Sequence, residues 1–496
     1  MSSPLLEEAA RIASQFDYPA HEVQRGVKEY IREIDEGLSH ENTTLSQIPT
    51  YVTSVPNGTE KGLYLAVDLG GTNFRVCSVE LHGDTTFSLT QTKIMTPGEL
   101  MASGSSKDLF VFLARQIESF LRIHHNEHFE AHMRRRGTDQ REEGVFDLGF
   151  TFSFPVRQVG INKGTLIRWT KGFNIPDAVG RDVCSLLQSA LDELELPVRV
   201  AALVNDTVGT LMARSYTSPG ETGTFLGAIF GTGTNGAYVE KLERVTKLDN
   251  IEHADYDKST GEMIINAEWG SFDNHLSVLP NTVYDQELNE ESNNPGVQMF
   301  EKRVSGMFLG EILRRVLLDL YQNQSLGLFK PGEGSDVLVP EDSNLFRQWG
   351  VDTSLLSLVE ADKTEGMEPT KVALKDHAKI ERPSMADCKA VQTIVHAIGK
   401  RAARLSAVPL AAILISTGKL QAEDMVDIGV DGSLVEFYPN FEHHLRDALR
   451  EVPEVGETGE KKIRIGISKD GSGVGAALIA LVASREEARK KAQKSQ

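Results

Sequence analysis

Apolar residues recur with a period of two along residues 64–81. Leu65, Val67 and Leu69 share one face, and Phe74, Val76 and Ser78 resume the alternation after a break. Around that break stand Asp68, the adjacent Gly70 and Gly71, Thr72 and Asn73, with Arg75 just beyond. The pattern predicts a hairpin that turns on two glycines. A second stretch repeats the plan. LGAIFGTGTNGAYVEKL (226–242) has the strand, glycine turn, Thr-Asn and second strand of LAVDLGGTNFRVCSVEL (65–81). More strand and helix follow each hairpin, so the repeat predicts two structurally related α/β halves.

Between and beyond the hairpins, helical spacing of apolar residues predicts helices over 5–38, 107–135, 181–194, 301–321 and 389–408. Buried strands are expected at 145–155, ending at Pro155, and at 198–206, with further strands at AAILI (411–415) and VDIGVDG (426–432). Residues 328–365 are rich in Gly, Pro, Asp and Ser and read as irregular.

At 496 residues the chain exceeds what one hydrophobic core usually serves, which predicts two domains. The formal charge of −19 argues against nucleic acid or an anionic membrane as the main partner. The apolar runs are too short to span a bilayer, and the first residues lack the basic and apolar regions of a secretory signal. Cys77, Cys184 and Cys388 lie far apart, without metal or redox spacing, and fit a reducing compartment. The expected location is the cytoplasm.

A glycine turn lets backbone N–H groups converge on an anion with no side chain in the way. Thr72, Thr232, Thr234 and Arg75 would add donors for phosphate oxygens. Asp68 beside phosphates would then point to Mg²⁺, held directly or through water. A salt bridge from Asp68 to Arg75 in a plain tight hairpin is the competing reading. GTGTNG (231–236) matches the dinucleotide fingerprint in letters, but that fingerprint must open a helix, and AYVEKL continues as a strand. DGSGVG (470–475) does join a strand to a helix, so its N–H groups could approach a nucleotide; a close strand–helix turn fits it too. His124, His128 and His132 have helical spacing without an accompanying carboxylate pattern and read as a solvated face.

Polar residues also cluster at strand ends: Ser153 after an apolar strand, Asn205-Asp206 after AALV, Asn235 at the second turn and Glu268 after MIINA. Ligands of open α/β sheets sit beyond the carboxyl ends of strands, and such side chains suit a polyhydroxyl ligand. Here DLGGTNFRV, LGFTFSFP, TLIRWTKGF, VNDTVGT, IFGTGTNGAYVE, INAEWGSFDN, FEKRVSGMFLGE and KDGSGVGAAL, in that order, resemble the hexokinase family over roughly residues 50–482. Their surroundings resemble fungal ATP-dependent glucokinases more than fungal hexokinases.

The resemblance implies an α/β, two-lobed actin-like ATPase (ribonuclease H-like) fold of hexokinase type, with a cleft between small and large domains. The implied division is an N-terminal helix and linker (1–60) on the large domain, a small domain (61–205), a large domain (206–470) and a C-terminal helix (471–496) returning to the small domain. Glucose would be held by Ser153, Phe154, Thr170, Lys171, Asn205, Asp206, Asn235, Glu268 and Glu301. The first phosphate loop would be Asp68, Leu69, Gly70, Gly71, Thr72 and Asn73, and the second Gly231, Thr232, Gly233 and Thr234. Gly306, Ser433, Gly471, Ser472 and Gly473 would surround the adenosine. The implied activity passes the γ-phosphate of Mg-ATP to the 6-hydroxyl of glucose. Asp206 would be the general base, Lys171 and Arg75 would meet the developing charge, and Asp68 would orient Mg²⁺ through water. A broad hexokinase also taking fructose and mannose, a non-catalytic glucose sensor and an actin-like nucleotide switch are the rival readings. Monomer and homodimer both stay open.

Overall fold

Both glycine-turn segments fold as antiparallel hairpins, and each seeds a sheet. The computed structural model describes residues 3–70, 73–134, 144–169, 172–218, 223–251, 256–331, 336–468 and 470–494. In chain order the strands are β1 (Ile48–Pro49), β2 (Lys61–Leu69), β3 (Asn73–His82), β4 (Phe87–Met95), β5 (Phe146–Phe152), β6 (Val156–Gly160), β7 (Lys163–Leu166), β8 (Val198–Val204), β9 (Thr224–Phe230), β10 (Thr234–Lys241), β11 (Glu262–Asn266), β12 (Val426–Asp431) and β13 (Ile463–Ile467). The first sheet runs β4-β3-β2-β5-β8 and the second β1-β11-β10-β9-β12-β13. Leaving β1 aside, the two orders are the same. The hairpin strand is central, two antiparallel neighbours lie on one side, and two parallel strands on the other. The internal repeat read from the sequence is therefore a repeat of topology.

Each sheet owns a core. Leu65, Val67, Phe74, Phe150 and Leu203 pack with Leu113, Ile117 and Leu187 from the helices Ser106–His124 and Val183–Glu193. The second sheet packs on a larger core that takes in Leu5 and Ile12, then Val23 and Tyr30 from two N-terminal helices, with the long helix Met385–Ser416. A third cluster lies between the sheets. It joins Ala66 and Val79 to Ala237 and Ile264 through the helices Asp206–Thr217 and Ala476–Lys494.

Several elements differ from expectation, each for a physical reason. The helix expected over 5–38 is two, Pro4–Ser14 and Ala20–Ser39, parted before Pro19, which disfavours helical geometry in the residue ahead of it. The helix expected over 107–135 breaks at His125, which leaves the helical region. AAILI is helical. It closes the 32-residue helix Met385–Ser416, where every residue from Leu405 to Leu414 is buried, so no polar face marks the 3.6-residue period. Residues 353–361, expected to be irregular, form a helix capped by Asp352, whose carboxylate accepts from the Ser354 N–H at 2.8 Å. The β6–β7 ribbon was not foreseen.

Candidate active site

The parallel strands β2, β5 and β8 run in register, Asp68 opposite Thr151 and Thr151 opposite Val204. Their carboxyl ends therefore present Asp68–Gly70, Ser153 and Asn205–Asp206 along one edge. In the second sheet the parallel β9 and β12 end at Gly231 and at Gly432–Ser433. A ligand bound beyond these ends meets residues from both sheets.

Asn205 is the N-cap of the helix Asp206–Thr217. Its carboxamide oxygen accepts from the Thr207 N–H at 2.9 Å and also from the Thr207 hydroxyl. Asp206 is the first helical residue, and one of its carboxylate oxygens accepts from the same N–H at 2.9 Å. Asn235 connects this helix to the second sheet. Its Nδ2 donates to Asn266 Oδ1 at 2.8 Å and lies 3.5 Å from both Thr207 Oγ1 and Glu268 Oε1. Asn266 Nδ2 in turn donates to Glu268 Oε1 at 2.8 Å. Glu268 sits at φ +52°, a left-handed conformation that a non-glycine residue holds only when its surroundings over-determine it. Burial pushes its carboxyl above the ordinary range, Asn266 opposes that, and the nearby Asp206 charge adds to it. Asn266 was missed by sequence reasoning, although the strand-end rule that selected Glu268 applies equally two residues earlier.

Glu301 stands on the other side of the second glycine turn. Its Oε2 accepts from the Thr234 N–H at 3.0 Å, and a Cβ at Gly233 would come within 2.8 Å of that oxygen. Ser153 is tied to the first sheet, its N–H donating to Leu69 carbonyl at 3.3 Å. Phe154 is buried in an aromatic cluster with Phe152, Trp169 and Phe173, and it backs Ser153. Thr170, Lys171, Gly71 and Thr72 lie outside the described residues.

At the first turn, the Gly70 N–H donates to the Asn73 carbonyl at 3.0 Å, closing the hairpin after Leu69. Among the described residues a Cβ at Gly70 would meet only that carbonyl, at 3.7 Å, so their packing does not demand glycine there; a close-approaching ligand would. Arg75 donates to Asp68 Oδ2 at 3.1 Å, so the plain salt bridge does form. The same guanidinium also reaches the Ser472 hydroxyl and lies 3.6 Å from Asp470, which ties the first hairpin to the C-terminal turn.

The second turn is braced from two sides. Gly306 N–H donates to the Gly231 carbonyl at 2.7 Å and Met307 N–H to the Thr232 carbonyl at 3.1 Å. These bonds start a new helix at Gly306 and split the one expected over 301–321 at Ser305. A Cβ at Gly231 would lie 3.3 Å from Gly432 Cα and 3.7 Å from the Ser433 nitrogen, so Ser433 borders the same turn. Thr232 is exposed, whereas the Thr234 hydroxyl accepts from the Trp269 indole N–H at 2.9 Å in the interior. The expected donor role toward phosphate is thus open to Thr232 and closed to the buried Thr234 side chain. Gly471 and Gly473 are buried, the first against Thr210 and the second against Cys77; only Ser472, through its hydroxyl, reaches Arg75. A cavity of about 1020 Å³ beside Val145, Lys163, Val198 and Arg199 lies at the opposite edge of the first sheet and plays no part in this site.

Two family models, both described as hexokinase, match residues 8–216 and 225–482. A glucokinase of Aspergillus niger is 82% identical over 99% of this chain and 100% of its own length. Glucokinase-1 of Saccharomyces cerevisiae is 43% identical over 97% of each. Among solved structures, hexokinase from Schistosoma mansoni complexed with glucose superposes with a TM-score of 0.77 at 35% identity, covering 97% of this chain and 99% of that one. The matching strand orders of the two sheets, the paired glycine turns and these likenesses agree: the chain belongs to the hexokinase family.

Proposed function

We propose that the chain transfers the γ-phosphate of ATP to the 6-hydroxyl of glucose, with Asp206 as the base that accepts the hydroxyl proton. The observation that carries this reading is the bonded set Asn205–Asp206–Thr207–Asn235–Asn266–Glu268, three amides and two carboxylates gathered at strand ends. Such fixed donors and acceptors suit sugar hydroxyls, and a nucleotide switch acting on proteins would have no use for them.

Asp206 is anchored by the helix start and lies close enough to Glu268 for their charges to interact. Burial, and to a lesser degree the Asp206 charge, raise the Glu268 carboxyl above its ordinary range. Ser153, Thr170, Lys171, Asn235 and Glu301 complete the sugar site, and Asn205 caps the helix that Asp206 begins. The phosphates are assigned to the two glycine turns, Gly70–Asn73 and Gly231–Thr232, and the role of meeting the charge that develops on transfer to Arg75 and Lys171. The glycine at 70, which packing does not require, and the carboxylate of Asp68 beside it fit a nucleotide carrying Mg²⁺. Asp68 would hold that ion through water, and the ion would supply charge neutralisation to the phosphates.

Among the described residues no helix is long and apolar enough to cross a membrane, and all three cysteines are buried thiols without disulfides. A cytoplasmic setting accords with the thiols.

Coupled ADP release with glucose, fructose and mannose side by side tests the reading. Glucose-dependent ADP release is expected, with kcat/KM for fructose lower by orders of magnitude, because the wrong sugar leaves buried polar groups unpaired. Comparable values for the two sugars would make the chain a broad hexokinase. Glucose binding without turnover would make it a sensor.

A further inference from the structure

On the outer side of the large lobe, the helix Phe441–Arg450 carries His443, His444 and Asp447. Asp447 is four residues after His443 and three after His444, the spacings that bring helical side chains together. One ligand atom from each lies within 4.8 Å of the others, and His443 Nε2 is 3.3 Å from Asp447 Oδ2. A third imidazole borders this group from the neighbouring helix Met385–Ser416. The His396 ring packs edge-on against His444 with centroids 5.7 Å apart, and His396 Nδ1 lies 3.2 Å from the buried Glu360 carboxylate.

We propose that this cluster is a binding site for a zinc-class divalent cation, separate from the cation that accompanies ATP. Imidazole nitrogens with one carboxylate select Zn²⁺ and its borderline neighbours Co²⁺, Ni²⁺ and Cu²⁺, whereas Mg²⁺ takes oxygen ligands. At a zinc–nitrogen distance of about 2.0–2.1 Å, ligand atoms of a tetrahedral site stand roughly 3.3 Å apart, within reach by small rotations of exposed side chains. A solvated helix face explains Asp447, which already pairs with Arg450 at 2.5 Å. It does not explain a chain of three histidine rings in contact, His443 with His444 at 5.5 Å and His444 with His396 at 5.7 Å. The Glu360–His396 pair repeats the carboxylate–imidazole arrangement that orients metal-binding histidines. His124, His128 and His132, spaced more temptingly in the sequence, do not form such a group among the described residues.

The test is zinc titration of tag-free, chelator-stripped enzyme against a chromophoric competitor, without nucleotide, repeated with Co²⁺ for its visible absorption. One saturable Zn²⁺ per chain is expected. His443→Ala and Asp447→Asn, both at exposed or half-exposed side chains, should each weaken it at least about tenfold while leaving the melting temperature of the metal-free enzyme unchanged. The Co²⁺ spectrum of the wild type should change in both variants. Equal zinc affinity in all three proteins, an unchanged Co²⁺ spectrum, or no saturable binding by the wild type would overturn the proposal.

Discussion

Asp206 sits one residue inside a helix whose cap is Asn205, and that offset decides what its substitution does. Asp206→Ala leaves the cap bond from Thr207 to Asn205 in place and removes an acidic residue of the first turn, worth about 0.3–1 kcal/mol, together with its own bond from the Thr207 N–H. Loss of a general base lowers kcat by about 10²–10⁴-fold. Glucose affinity by calorimetry should fall far less than kcat, and a variant turning over near the wild-type rate would remove Asp206 from the mechanism. Glu268 makes a different forecast. Its raised carboxyl holds a proton more tightly in the folded chain than in the unfolded one, so it favours folding in acid and costs stability as pH rises through its folded pKa. Glu268→Gln should therefore melt above the wild type near neutral pH, with the difference shrinking as pH falls toward the ordinary value of 4.5, while glucose binds more weakly. Melting curves across pH check this, and a variant that melts lower at every pH would contradict it.

At the scale of elements, the C-terminal turn and the helix Asp206–Thr217 touch backbone to backbone. A Cβ at Gly475 would come within 2.2 Å of Gly209 Cα, and one at Gly471 within 2.8 Å of Thr210 Cα. Gly475→Ala must push the two apart, and since overpacking costs typically about 1–3 kcal/mol, a loss at or above the upper end is expected in urea unfolding. Activity should fall with it, because Ser472 and Asp470 beside Arg75 move with the turn; unchanged stability would mean the junction gives way freely. This contact also marks where the sequence stops being legible. DGSGVG predicts close approach of backbone to something, and a nucleotide and a helix make the same demand for glycine. The hairpins were legible because period-two alternation and Gly-Gly or Gly-Thr-Gly are local signals. The end of Met385–Ser416 beyond residue 408 was not, since burial on every side erases its helical period. Nor was the break at Ser305, which is set by carbonyls of a loop some seventy residues earlier in the chain. The site followed the same division. Asn205, Asn235 and Glu268 stood out at strand ends, while the bond from Trp269 that turns Thr234 inward depends on tertiary packing.

At the scale of the whole molecule, the residues proposed to hold the sugar belong to two bodies. Ser153 and Phe154 are fixed to the first sheet through Leu69 and the aromatic cluster, while Asn235, Asn266 and Glu268 are fixed to the second. The junction is carried by the helix that starts at Asn205-Asp206, packed against β9 on one side and the C-terminal turn on the other. A ligand that bonds both sets must span the cleft, so glucose should draw the lobes together and stabilise the fold before any nucleotide arrives. A ligand that binds only the folded chain adds about 2.7 kcal/mol at 100 times its dissociation constant. Thermal melts with saturating glucose should rise accordingly, and small-angle scattering should show a smaller radius of gyration. The two readouts separate the alternatives. Glucose held by one lobe alone would raise the melting temperature and leave the radius unchanged, whereas a site built across the cleft must move both. Saturating glucose that moves neither would mean that the strand-end residues of the two sheets do not act on a common sugar.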